Sequence, residues 1–290
     1  MLRRIPIAGL GLLLAVPALA HGAATEGDAA SFDPFAGSII VAAALAYGVG
    51  LRRAANGRRR LVPPLRAVSF MAGCAVFFAA LASPLHSQAD LYLAAHMVQH
   101  IVLVTVAPLL VLVGRPDLLI LGVLPRRGRS SPARFARAAL RSPTIAAAAH
   151  GIAIWAWHAP PLFDAALQNE ALHALEHFSF VATALWFWAA VLAATRRASG
   201  RIEALIAVLA TLIHGGILGA LLAFSGRPLY PAYADEAALL GYAPLADQQL
   251  AGLIMWVPGG AFYLAVGLWI AFRLIGQETP PYSAAPSGKV

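Results

Sequence analysis

Apolar residues run along this chain in long blocks, broken by short stretches rich in arginine, proline and glycine. A helix needs roughly 17 to 25 mostly apolar residues to cross ~30 Å of hydrocarbon. The blocks at about 36 to 51, 67 to 83, 93 to 113, 143 to 158, 172 to 194, 204 to 224 and 250 to 274 approach that length. The pattern therefore predicts an all-α fold, a polytopic membrane bundle of seven transmembrane helices over residues 35–276, with a cytoplasmic tail at 277–290. No internal repeat or long soluble insert interrupts it, so a single domain is expected.

A separate signal precedes the bundle. Arg3 and Arg4 are followed by an apolar run from Ile5 to Val16 and by Ala18-Leu19-Ala20, the small-x-small pattern of a signal peptidase site. Residues 1–20 read as a cleavable signal peptide, which leaves a short outer segment, 21–34, starting at His21. An uncleaved leader would add a helix and leave the later topology unchanged.

Composition agrees with a membrane class: 60% of residues are hydrophobic, 12% are charged, and the mean hydropathy is +0.73. The net charge of +8 would suggest nucleic acid if it were spread over a surface. It is not spread. Arg52 to Arg66, Arg115 to Arg141, Arg196 to Arg201, Arg273 and Lys289 all fall in alternate loops or the tail, whereas Arg227 is the basic residue of the opposite loops. Basic residues stay on the cytoplasmic side. The mature N-terminus is thus expected outside and the C-terminus inside a bacterial inner membrane, with the arginines meeting lipid headgroups and no nucleic acid bound. Glu26, Asp28, Asp33, Asp90, Asp164, Glu170, Asp235, Glu236 and Asp247 collect on the outer side, where they would attract cations.

The chemistry lies with histidine. Cys74 is the lone cysteine, so neither an intramolecular disulfide nor a C-x-x-C site exists. His96/His100 and His173/His177 are i, i+4 pairs, a spacing that stacks two rings on one helix face. Both pairs fall near the outer end of their spans, at the level of His158 and His86, with Met97, Met255, Glu176 and Asp247 close by. Clustered imidazoles at one depth point to a metal or haem site. His150 and His214 sit deeper, about 12 to 15 Å from the outer end of their helices. An ionisable residue there faces the bundle interior and finds a partner.

Several segments carry a family resemblance. They are His96-Met97-Val98-Gln99-His100 with Ala107-Pro108-Leu109-Leu110, Trp157-His158-Ala159-Pro160-Pro161-Leu162-Phe163, Leu172-His173-Ala174-Leu175-Glu176-His177, and Asp247-Gln248-Gln249-Leu250-Ala251-Gly252-Leu253-Ile254-Met255-Trp256. Over about residues 35 to 275 the chain resembles the seven-span CtaG-type cytochrome c oxidase assembly factors. It does not resemble the unrelated one-span copper protein of the same name, which depends on cysteine. The resemblance implies a non-enzymatic role in maturing a haem-copper oxidase, with copper as the metal supplied to the catalytic subunit of that partner. The expected ligands are His96, His100, His173 and His177, with His158, Met97 and Met255 as accessories. Asp247 and Glu176 would support them as nearby carboxylates, Asp247 by orienting an imidazole, and His150, His214 and His21 are secondary candidates.

Two other chemistries fit parts of the pattern. His173-Ala174-Leu175-Glu176-His177 matches H-x-x-E-H, an inverted zinc-protease motif, and so a metal-dependent membrane hydrolase. His150 and His214, one from each of two helices at similar depth, could ligate a b-type haem. The outer stretch from Ser225 to Ala246, with Pro228, Tyr230, Pro231, Tyr233, Asp235 and Glu236, is long enough to cover the site or to contact a partner, and partner contact is the expectation.

Overall fold

The architecture is that of a computed structural model, which describes residues 34–56, 62–82, 84–116, 140–233 and 240–276. These residues form helices and connecting turns, and no strand occurs among them. The helices are α1 (Pro34–Asn56), α2 (Pro64–Leu81), α3 (Pro84–Leu91), α4 (Leu93–Val104), α5 (Val106–Val113), α6 (Pro143–Trp157), α7 (Pro160–Gln168), α8 (Glu170–Ala194), α9 (Ala198–Ala223), α10 (Pro244–Ile254) and α11 (Gly260–Ile275). The expected leader, the His21 terminus and the 277–290 tail lie outside the described residues.

Among the described residues six segments are long and apolar enough to cross a membrane: Ala36–Ala55, Pro64–Leu91, Leu93–Val113, Glu170–Ala194, Ala198–Ala223 and Pro244–Ile275. The fourth expected span differs. Its block folds as α6, 15 residues long, which at 1.5 Å per residue covers about 22 Å. Proline sets both limits: Pro143 occupies the first turn after the Ser142 cap, and Pro160 and Pro161 begin the next helix just beyond His158.

The spans Leu93–Val113 and Pro244–Ile275 are interrupted internally, again at prolines. Pro108 has no N–H for the Val104 carbonyl one turn earlier. The chain breaks at Thr105, between α4 and α5, and the freed Val104 oxygen accepts the Trp188 indole N–H at 2.8 Å. Thr105 turns its own hydroxyl back to the Ile101 carbonyl. In the last span Pro258 lies within a π-helical turn, Met255–Gly259, that links α10 to α11. Such turns absorb a missing hydrogen bond by widening the helix.

Helix α9 is central, packing on α6, α8, α10 and α11, while α4 packs on α3, α8 and α10. Helix α1 is peripheral and packs on α2, where Tyr47 stacks on Phe70 at 3.8 Å and donates to the Gly114 carbonyl. Association in lipid rests on close packing, because lipid tails solvate apolar faces as well as protein does. Glycine supplies that closeness between α9 and α10. A Cβ on Gly219 would stand 2.8 Å from the Gly252 carbonyl oxygen, and one on Gly252 would stand 2.5 Å from the Gly219 oxygen.

Gly252→Ala should therefore push α9 and α10 apart and lower stability in detergent by about 1–3 kcal/mol. Gly48→Ala, on α1 with nothing within 4 Å of the added methyl, should be neutral or stabilising. Thermal unfolding followed by helical circular dichroism checks both, and an unchanged Gly252→Ala midpoint would contradict the packing account.

Candidate metal centre

Two helix starts set the site. Helix α4 begins after Tyr92, whose backbone is extended, and the Asp247 carboxylate of α10 caps its first turn. One oxygen accepts the Leu93 N–H at 2.7 Å and the other the Ala94 N–H at 3.2 Å. Helix α8 begins after Asn169, whose side chain accepts the Leu172 N–H at 3.1 Å. Both caps satisfy donors that have no partner within their helix. From these starts α4 presents His96 and His100, and α8 presents His173, Glu176 and His177.

The i, i+4 spacing brings the rings of each pair together on one helix face, edge-on for His96/His100 at 4.1 Å between centroids and tilted for His173/His177 at 4.4 Å. The two pairs face each other. His96 lies 5.6 Å from His173 and 6.4 Å from His177, and His100 lies 5.4 Å from His177. Between them the Glu176 carboxyl oxygen is 3.7 Å from His100 Nε2, with both side chains buried. His158, at the end of α6, brings a further imidazole 6.0 Å from His100. Phe180 and Phe163 wall the cluster at 4.8 Å from His100 and 5.3 Å from His96.

The polar atoms inside are short of partners. His96 Nε2, both ring nitrogens of His100, His158 Nε2, His177 Nε2 and Glu176 Oε1 are buried with no hydrogen bond. Leaving such an atom unsatisfied costs about 1–3 kcal/mol. His96, His100 and Glu176 each bring a donor atom within 4.8 Å of the other two, close enough to share one ion. This donor set fits a cation: imidazole lone pairs and one carboxylate converge where no protein donor reaches them.

The other predicted residues are placed differently. Met97 is fully buried in the apolar core beside Leu93 and Ala94. Met255 lines a separate cavity of about 60 Å³ with Ile101, Thr105, Thr211 and Tyr263. Asp247 was expected to orient an imidazole, but its hydrogen bonds go to the Leu93 and Ala94 amides, so it holds the helix that carries His96 and His100. Glu176, expected beside the ligands, lies among them. His150 is fully buried, stacks on Phe187 at 5.7 Å and bonds Thr183 at 2.9 Å. His214 abuts Gly151 on an open apolar groove of about 480 Å³ between α6 and α9. Neither belongs to the cluster.

Four contributors were absent from the expected ligand set. His86 of α3 lies 6.0 Å from His173 and 6.3 Å from His177. Gln99 donates to the Ala80 carbonyl at 2.7 Å and reaches His86 Nδ1 at 3.1 Å. Tyr230 donates to the His158 carbonyl at 3.0 Å, and the Tyr233 hydroxyl touches the Ala89 carbonyl and His96 Nδ1. His86 had a signal in its depth. Gln99 sits between the two ligands of α4, and the tyrosines come from a loop whose fold back onto the site has no periodicity to betray it.

Fold and site together define a multi-pass helical membrane protein with a buried polyhistidine–carboxylate centre at one end of its bundle. The chain belongs to the cytochrome c oxidase caa3 assembly factor family (Caa3_CtaG), whose model matches residues 45–277. That family makes it an assembly factor with an oxidase for a partner. No curated protein and no solved structure matches the chain.

The capping role of Asp247 predicts that Asp247→Ala destabilises the protein by about 0.5–2 kcal/mol, with Asp247→Asn, which keeps one of the two acceptor oxygens, restoring part of the loss. Chemical unfolding of the two variants checks this, and a neutral Asp247→Ala would contradict it.

Proposed function

We propose that this protein binds copper as cargo at the cluster of His96, His100, His173, His177 and Glu176, and supports its delivery to the catalytic subunit of a haem-copper oxidase. The observation that carries the reading is the set of buried ring nitrogens on α4 and α8 that face each other without hydrogen-bond partners. Imidazole-rich sites suit copper, and the family names the process that would consume it. His158 is the accessory ligand with the best placement, 6.0 Å from His100. Cargo must leave as well as arrive, so exchangeable coordination by two or three imidazoles serves better than a closed cage.

The membrane setting belongs to the same proposal. Helix α6 acts as a short seventh span, wedged against α8 and α9 with Ala146, Ala147, His150 and Ile154 buried. With seven spans, the arginine bias supports a mature N-terminus and cluster on the outer side of a bacterial inner membrane, and a C-terminus in the cytoplasm. An outward-facing site meets copper before the cytoplasm does.

The test is copper loading of the oxidase in cells that carry His96→Ala/His100→Ala or His173→Ala/His177→Ala. Each double variant should insert in the membrane at wild-type level yet leave the oxidase depleted of copper. Intact loading in both would reject the site. Glu176→Gln separates this role from hydrolysis: a hydrolase that used Glu176 as general base would lose all activity, whereas copper loading should fall only in part.

A further inference from the structure

A neutral imidazole has one N–H and one lone pair, and the partner of one nitrogen decides what the other offers. The partners here sort the histidines. His158 Nδ1 lies 2.8 Å from the Ile154 carbonyl, which only accepts, so Nδ1 holds the proton and Nε2 the lone pair. Thr183 spends its hydroxyl proton on the Ser179 carbonyl and so accepts from His150 Nδ1. His86 is the reverse. Gln99 Nε2 donates to the Ala80 carbonyl and to His86 Nδ1, which leaves the His86 proton on Nε2 and removes that nitrogen from ligation.

His96 resembles His158, but its partner is supplied from a distant part of the chain. Its Nδ1 is 3.0 Å from the Tyr233 hydroxyl, and that hydroxyl donates its single proton to the Ala89 carbonyl. The hydroxyl must then accept, so His96 carries its proton on Nδ1. Nε2 of His96 is left with its lone pair toward His100 and Glu176, and with no hydrogen bond.

We propose that Tyr233 is a positioning residue of the centre, which fixes His96 as the Nδ1–H tautomer and thereby presents Nε2 as a cation ligand. A hydrogen bond on the far nitrogen holds a ligating imidazole in place and raises its basicity. For His158 the acceptor is its own helix backbone and cannot leave. For His96 the hydroxyl is on a side chain 137 residues away, on the segment after α9 that also seats Tyr230, and it shares the Ala89 carbonyl with the His96 ring. The ligating half of the proposal rests on the copper reading above, whereas the tautomer does not.

The experiment uses full-length protein labelled with ¹⁵N-histidine, metal-free, in lipid, with ring nitrogen shifts read by solid-state NMR and His96 assigned against His96→Asn. Cu(I) alone is then titrated in competition with a chromophoric chelator. Wild type should show His96 protonated at Nδ1. Tyr233→Phe should lose that signature while His158 keeps it, and should bind Cu(I) about tenfold to a hundredfold more weakly. Tyr47→Phe, on peripheral α1 away from the cluster, removes a hydroxyl that donates to the Gly114 carbonyl, and should leave both readouts unchanged.

Wild-type His96 protonated at Nε2 would overturn the proposal whether or not any variant folds, as would an unchanged His96 signature in Tyr233→Phe. Wild-type protein that binds no Cu(I), with the tautomer change still seen, would overturn the copper reading and leave the tautomer role of Tyr233 supported.

Discussion

An imidazole buried in an apolar bundle must do something with its second nitrogen, and this constraint organises the functional end of the molecule. Lipid offers no donor, and the surrounding walls are Phe163, Phe180 and aliphatic side chains. Two cluster histidines divide their nitrogens between the protein and the interior, while both nitrogens of His100 are buried without a hydrogen bond. His158 gives Nδ1 to the Ile154 carbonyl and His96 gives Nδ1 to Tyr233. The nitrogens turned inward have no protein partner, and their convergence from α4, α6 and α8 makes a cation the economical way to satisfy them together.

The scaffold serves that convergence. Caps from Asp247 and Asn169 fix where α4 and α8 begin, and a helix start sets the angular position of every residue after it. The break at Thr105 then lets α5 depart from the α4 axis, and Trp188 of α8 ties the two helices together by taking the carbonyl that Pro108 leaves free. Close contact of α9 with α10 through Gly219 and Gly252 keeps Asp247 within reach of α4. Coupling of cap, break and glycine contact explains how ordinary apolar helices hold a polar centre in register.

Much of this was legible in the sequence, for physical reasons that differ by level. Apolar blocks announced the helices because hydrocarbon selects for length, and the i, i+4 histidine pairs announced the ring contacts because helical pitch is fixed. Prolines announced the breaks less clearly: Pro108 and Pro258 lie inside blocks that read as single spans, and Pro143 and Pro160 shorten α6 to 15 residues where a full span was expected. What composition could not reveal was which polar groups would pair. Asp247 has the look of a carboxylate that orients a ligand, yet helix α4 needs it for its first amides. Tyr233 reaches His96 only through the folding of a loop, and Met255 lines a separate cavity beside Ile101 and Tyr263.

The central claim is that unpaired nitrogens on facing helices form a copper site. The most direct measurement is metal analysis by inductively coupled plasma mass spectrometry of protein purified in detergent after exposure to copper, comparing wild type with His96→Ala/His100→Ala. Copper that stays with the wild type through gel filtration and is lost from the folded variant is the predicted result. Equal copper in the two proteins, or none in the wild type, would contradict it.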